Sequence, residues 1–243
     1  MDMLDKISLI LPTYHPDRVD RANILISMLK EESGSEVEVI VVTDNPETHD
    51  SYIGADQVIK LPKRIGFTRA ANIGEKFASY GIGWWIDDYV IPSPGWAPKA
   101  LSYFWKRFPT GHGIMELSGC KTDCPKSMST REYMYNLNGG DWLWNDYLHC
   151  GDTESWKKAV SKDEFYVCPE VLWKRDKIYD NCKTESLKTI SLDTELRVIR
   201  ETDGWPDKHV DNLQQLYLTW AMGDKRNEEL YKNIFNITYG EKK

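Results

Sequence analysis

The sequence predicts an α/β protein: a doubly wound, mostly parallel sheet flanked by helices, with a C-terminal helical extension. Three observations predict it. Ile7 to Leu11 and Val37 to Val42 are apolar runs, each broken by one polar residue (Ser8 and Glu38), and this is the composition of strands covered on both faces. A stretch of helical periodicity separates them, so strand and helix alternate as a parallel sheet requires. Carboxylates or hydroxyls then follow successive strands, at Thr13-Tyr14, Asp44-Asn45 and Asp87-Asp88, and such sheets bind ligands beyond the carboxyl ends of their strands.

In chain order, the first helix carries Val19, Ala22, Leu25, Ile26 and Leu29 at helical spacing, with Asp17 as its expected cap and Gly34 past its end. A third strand is expected at Val58 to Leu61. The next helix runs from about Thr68 to Ser79, with Ala70, Ile73 and Phe77 on one face. Trp84 to Ile86 leads into the Asp pair, a helix over about Pro98 to Arg107 follows, and a strand is expected near Gly113 to Leu117. Residues 119–148 read as an irregular segment rich in Gly, Asn, Tyr and Trp, and a loop of that length is usually functional or mobile. A short helix to about Val160 and a strand at Phe165 to Cys168, ended by Pro169, complete the alternation. From Lys174 the text becomes charged and helical, with Val210, Leu213, Tyr217 and Trp220 marking one amphipathic helix. The domain reading is therefore an α/β domain over residues 1–175 and a helical extension over 176–243 packed on it.

Composition excludes several classes. A formal net charge of -7 argues against broad electrostatic capture of nucleic acid, which needs clustered Lys and Arg. No apolar run approaches the roughly 20 residues that span a bilayer, and Met1 to Lys6 lacks the basic flank and apolar core of a signal peptide. Five scattered cysteines suit a reduced compartment, so the expected location is cytoplasmic. Cys120 and Cys124 are loosely spaced and have no second tight pair, which argues against zinc even with His149 and Cys150 nearby.

The chemistry lies at the strand ends. Asp87 and Asp88 leave an apolar run, and adjacent carboxylates there suit a divalent metal and a sugar diphosphate as well as a solvated acidic turn. Asp44 is a carboxylate at a strand end, able to accept hydrogen bonds from a ligand or simply to shape the turn before Pro46. Arg69 and Asn72 sit at a helix start, where donors and positive potential face anions. Asp152, in Gly151-Asp152-Thr153-Glu154, is either an acid-base group or a helix N-cap. Trp142, Trp144 and Tyr147 offer faces for stacking on sugars or bases, or pack their own loop.

Together, Ile7-Ser8-Leu9-Ile10-Leu11-Pro12-Thr13-Tyr14, Trp84-Trp85-Ile86-Asp87-Asp88 with Pro92-Ser93-Pro94-Gly95-Trp96, Gly66 to Gly74, and Gly139-Gly140-Asp141-Trp142 followed by Gly151 to Trp156 resemble the family 2 glycosyltransferases of GT-A fold, over roughly residues 7 to 175. The resemblance implies that Pro12, Thr13, Tyr14, Asp44, Arg69, Asn72, Asp87 and Asp88 bind the nucleotide-sugar, a UDP-sugar by preference. It implies that Asp87 takes the ribose, that Asp88 holds Mn²⁺ or Mg²⁺ against the diphosphate, and that Asp152 is the general base with Glu154 second. Ser191-Leu192-Asp193-Thr194-Glu195 mimics the acidic pattern but has no strand and proline downstream. Three positions depart from the family: Thr43-Asp44-Asn45-Pro46 replaces its Asp-Asp-Gly-Ser, Tyr89 replaces a third acid, and Trp173-Lys174-Arg175 occupies the place of a His, where a cation would neutralise the diphosphate directly.

The function so implied is inverting transfer of a sugar to an acceptor hydroxyl. The acceptor is a saccharide or another hydroxyl-bearing molecule; a hydroxymethylated DNA base is a minority option that the charge balance does not support. The alternatives are a nucleotide-sugar-binding protein without turnover and a sugar-phosphate nucleotidyltransferase, although Pro12-Thr13-Tyr14-His15-Pro16 is not the Gly-rich basic loop the latter needs.

Overall fold

The computed structural model of the chain describes residues 6–13, 16–34, 36–62, 67–88, 90–117, 127–140, 142–143, 155 and 158–175. Strands β1 (Ile7–Thr13), β2 (Val37–Thr43), β3 (Gln57–Lys60) and β4 (Ile82–Trp85) form the parallel half of a seven-stranded sheet. Leu9 pairs with Val39 on one side and with Trp84 on the other, so β1 lies between β2 and β4. The order continues through β7 (Ser127–Thr130), β6 (Ile114–Glu116) and β8 (Phe165–Val167), with β7 antiparallel to both of its neighbours. A separate two-stranded antiparallel sheet joins β5 (Val90–Pro92) to β9 (Trp173–Arg175).

Every residue of β2 is buried because the sheet is covered on both faces. Alternate residues serve opposite cores. Ile7, Leu9, Leu11, Val39 and Val41 pack with helices α1 (Val19–Glu31) and α3 (Trp96–Arg107), whereas Ile10, Ile40 and Val42 pack with α2 (Phe67–Glu75) and α4 (Arg131–Leu137). The polar interruptions also have partners. Ser8 donates to Glu38 at 2.6 Å, and Glu38 accepts from the Ser79 amide at 2.8 Å and the Ser79 hydroxyl at 2.7 Å, so a buried carboxylate fastens the turn into β4.

Several expectations are corrected. Asp17 does not cap α1: it lies in a 3-10 turn over Pro16–Arg18, and the N-cap residue, Arg18, makes no side-chain cap bond. The second helix stops at Glu75 rather than Ser79, because the Lys76 and Phe77 amides turn back to Ile73 and Gly74 in tighter i to i−3 bonds; Phe77 leaves the helix face and is exposed. The segment 119–148 is not irregular throughout, since β7 and α4 lie inside it. Their signals are short: β7 is four residues, three of them hydroxylic, and α4 buries only Tyr133, Met134 and Leu137. Lys174 lies in a strand, not in helical sequence; β9 forms because β5 has an edge to pair with. The C-terminal extension, residues 176–243, lies outside the described residues.

Candidate functional site

The turns at the carboxyl ends of β1, β2 and β4 meet because those strands are adjacent and parallel. The Asp44 amide donates to the Thr13 carbonyl at 3.4 Å, and the Ile86 amide donates to the Ile10 carbonyl at 2.9 Å, which carries β4 alongside β1 up to the Asp pair. Asp44 and Asp88 are buried and Asp87 is half-buried. Pro12 and Thr13 are half-buried at the same edge. Thr13 is held in a hydroxyl chain, with the Tyr52 hydroxyl 3.1 Å away and Thr48 3.4 Å beyond that, and Thr48 lies 2.8 Å from Thr43. Asn45 closes the turn after Asp44 by accepting from the Glu47 amide at 3.0 Å.

The Asp88 carboxylate is charge-paired. Arg18 Nη1 lies 3.3 Å from Asp88 Oδ1, and Arg21 Nε donates to the Asp88 carbonyl at 2.8 Å. These arginines were missed in the sequence. The available signal is two cations three residues apart at the start of the helix that follows β1, hence on one face. A buried carboxylate needs such a partner, since an unpaired charge out of water is costly.

Arg69 lies in α2, half-buried, and burial pulls its guanidinium below its ordinary value. Asn72 does something other than face an anion. Its side-chain nitrogen donates to the Leu143 carbonyl at 3.0 Å and its oxygen accepts from the Leu143 amide at 2.8 Å, so the buried amide is bonded to a main chain in both directions. Asn138 makes a second anchor, donating to the Trp142 carbonyl at 2.8 Å and to Ser155 at 2.9 Å. Tyr14, Asp152 and Glu154, together with Asp193 and Glu195, lie outside the described residues.

The Pro92 to Trp96 motif has a structural reason. Gly95 adopts φ 66°, a left-handed conformation that glycine tolerates, and its amide donates to the Glu32 carbonyl at 2.7 Å. Ser93 donates from its amide to the Leu172 carbonyl at 2.8 Å, and the Trp96 and Trp173 rings meet edge to face at 4.8 Å. The motif therefore ties α1, α3 and β9 together immediately behind the Asp pair. Lys174 is exposed on β9, in register with Ile91 of β5.

Two adjacent carboxylates are hard oxygen donors that suit Mg²⁺ or Mn²⁺. Among the described residues no group of three or more His, Cys, Asp or Glu side chains could hold a metal by itself. Asp87 and Asp88 are the adjacent pair that could contribute to holding such a cation, with Asp88 Oδ1 at present 3.3 Å from Arg18 Nη1. A separate cleft of about 400 Å³, lined in part by Gly81, Trp105, Thr130 and Arg131, opens at the other end of β4. Arg131 there is committed to the buried Glu75 carboxylate, which also accepts from Tyr135.

No protein-family model matches the chain, and no curated protein matches it. Solved structures do. S. aureus TarS superposes with a TM-score of 0.52 at 12% identity, covering 70% of this chain and 36% of that one. TarS 1-349 in complex with UDP gives 0.51 at 14% identity, over 69% of this chain and 59% of that one. The mannosyltransferase PcManGT from Pyrobaculum calidifontis, in complex with GDP-Man and Mn²⁺, gives 0.51 at 16% identity, over 68% and 55%. The chain thus spans about a third of the length of full TarS and less than two thirds of the other two. At such identities the likeness is one of architecture, and it shows that the chain has a GT-A-like α/β fold shared with glycosyltransferases.

Proposed function

We propose that the chain is a family 2 glycosyltransferase that moves a sugar, with inversion, from a nucleoside-diphosphate sugar to an acceptor hydroxyl. The observation that carries this reading is the meeting of Thr13, Asp44, Asp87 and the buried Asp88 at the carboxyl ends of β1, β2 and β4. This is the edge at which such a sheet takes its ligand. The UDP complex of TarS 1-349 and the GDP-Man and Mn²⁺ complex of PcManGT support a nucleotide-sugar donor for this architecture.

In this reading Asp44 accepts from the base imide, which favours uracil, and Asp87 accepts from a ribose hydroxyl. Asp88 would hold Mn²⁺ or Mg²⁺ against the diphosphate, and the cation, when bound, stabilises the charge that develops on the leaving group. Asp152 takes the proton of the acceptor hydroxyl as that oxygen bonds to the anomeric carbon. The bond from that carbon to the diphosphate oxygen breaks on the opposite face and the nucleoside diphosphate leaves. Glu154 is second in line for the same role. Asn72 acts at one remove by holding the backbone at Leu143. Residues 1–175 form the catalytic domain and 176–243 an extension packed on it; the acceptor is a saccharide, with a hydroxymethylated DNA base second.

Calorimetric titration with UDP, GDP, CDP and ADP, each with Mn²⁺ and with EDTA, tests the donor. Metal-dependent binding of one nucleotide, lost in Asp88→Ala, is expected; binding of none defeats the proposal. Asp152→Asn should abolish transfer to a saccharide acceptor while donor affinity stays within about twofold, because the carboxylate acts on the acceptor. A wild type that binds donor but neither transfers nor hydrolyses it would be a binding protein without turnover.

A further inference from the structure

We propose that Arg18 is a diphosphate-binding residue of the donor site, held on Asp88 until the donor arrives. The inference rests on the nucleotide-sugar reading and deepens it. Arg18 Nη1 lies 3.3 Å from Asp88 Oδ1, so the carboxylate best placed to hold a cation already has one from the protein. The carboxylate is buried, with a side chain 6% exposed, whereas the Arg18 side chain is 24% exposed and is the more accessible member of the pair. Arg21, one turn further along α1, holds the Asp88 carbonyl at 2.8 Å and keeps that backbone in place whichever partner the carboxylate takes. The two arginines therefore divide the work: Arg21 fixes the backbone and Arg18 supplies an exchangeable charge.

A guanidinium fork matches phosphate as well as carboxylate. A diphosphate brought to Asp88 carries more negative charge than the carboxylate and draws Arg18 across to it. That movement would free Asp88 Oδ1 to help hold a divalent cation. Before the donor binds, Arg18 and the cation compete for Asp88. With the donor bound, Arg18 neutralises charge on the leaving group, and a cation held by Asp88 would add to it.

Titration calorimetry of wild type, Arg18→Gln and Arg18→Lys with UDP and GDP, and with UMP and GMP, each in EDTA and in Mn²⁺, tests this. In EDTA, Arg18→Gln should bind its diphosphate about tenfold or more weakly, the scale of one charge-assisted hydrogen bond, and Arg18→Lys should recover part of that loss. The monophosphate should lose less. Mn²⁺ should enhance diphosphate binding less in Arg18→Gln than in wild type, because only in wild type does the diphosphate also clear a competitor from Asp88. Equal diphosphate affinity in wild type and Arg18→Gln overturns the proposal and leaves the donor reading intact. Equal losses for mono- and diphosphate, or a variant whose melting curve shows it unfolded while Arg18→Lys behaves as wild type in every titration, also overturn it. If wild type binds no nucleotide in either condition, the donor reading falls and this inference with it.

Discussion

Asn72 shows how far a single side chain departs from the role its position suggests. The sequence places it near a helix start, where an amide is expected to face a ligand, yet it lies well inside α2 and both of its polar atoms bond to the backbone of Leu143. Asn72→Ala strands a buried N–H and C=O, and should cost about 1–3 kcal/mol of stability, read from the urea midpoint. Asn72→Asp sets a carboxylate against the Leu143 carbonyl and should cost at least as much. A variant of normal stability with weakened nucleotide binding would return Asn72 to the donor site. Tyr135 offers a test in pH. Burial, and then its hydrogen bond to Glu75, push its hydroxyl from 10.0 up to about 12. The folded value lies above the unfolded one, so this contribution to stability is full below pH 10 and is lost as pH rises from about 10 to about 12. Tyr135→Phe should flatten that part of the alkaline decline in denaturant midpoint; an unchanged decline would show that the hydroxyl is not coupled to folding.

The contact of α2 with the sheet depends on an absent side chain. A Cβ on Gly74 would stand 2.6 Å from Ile10 Cγ2 and 2.6 Å from Val42 Cγ2, inside any allowed contact. Both neighbours are β-branched residues of packed strands, with little rotamer freedom to yield. Gly74→Ala gains about 1 kcal/mol of helix propensity but overpacks this contact by about 1–3 kcal/mol, so a net loss of stability is expected, and Gly74→Val should be worse. A stabilised Gly74→Ala in chemical denaturation would mean that the helix can lift away from the sheet without cost. β7 makes the complementary point. Ser129 donates to the Gly113 carbonyl at 2.7 Å and Thr130 to the Gly111 carbonyl at 2.8 Å, so two hydroxyls join the single buried apolar side chain, Met128, in fastening this strand. A pattern search for apolar alternation passes over a strand of that kind.

For the whole molecule, a donor that binds only the folded state must stabilise it. With UDP or GDP and Mn²⁺ at about 100 times the dissociation constant, unfolding should become harder by about 2.7 kcal/mol. In a domain of this size that raises the melting temperature by roughly 5–10 °C. Chelation should remove the part of the shift that belongs to the cation, and Asp88→Ala should abolish that part. A shift untouched by EDTA would assign the diphosphate to protein cations, Arg18 first among them. Among the described residues no helix is long and apolar enough to cross a membrane.

What the sequence by itself determined is the parallel half of the sheet and the carboxylates at its edge. Doubly covered strands must be apolar almost throughout, and the residues that leave them are the ones free to be polar; Ile7 to Thr13, Val37 to Asp44 and Trp84 to Asp88 could be placed on those grounds alone. Tertiary structure decided what those carboxylates touch. That Arg18 pairs with Asp88 across 70 positions, that Asn72 holds Leu143 across 71, and that β9 pairs with β5 follows from the order in which strands assemble. The physical reason is one of range: periodicity and capping report the few residues beside each position, whereas the partner of a buried charge is chosen by which strand ends the sheet brings together.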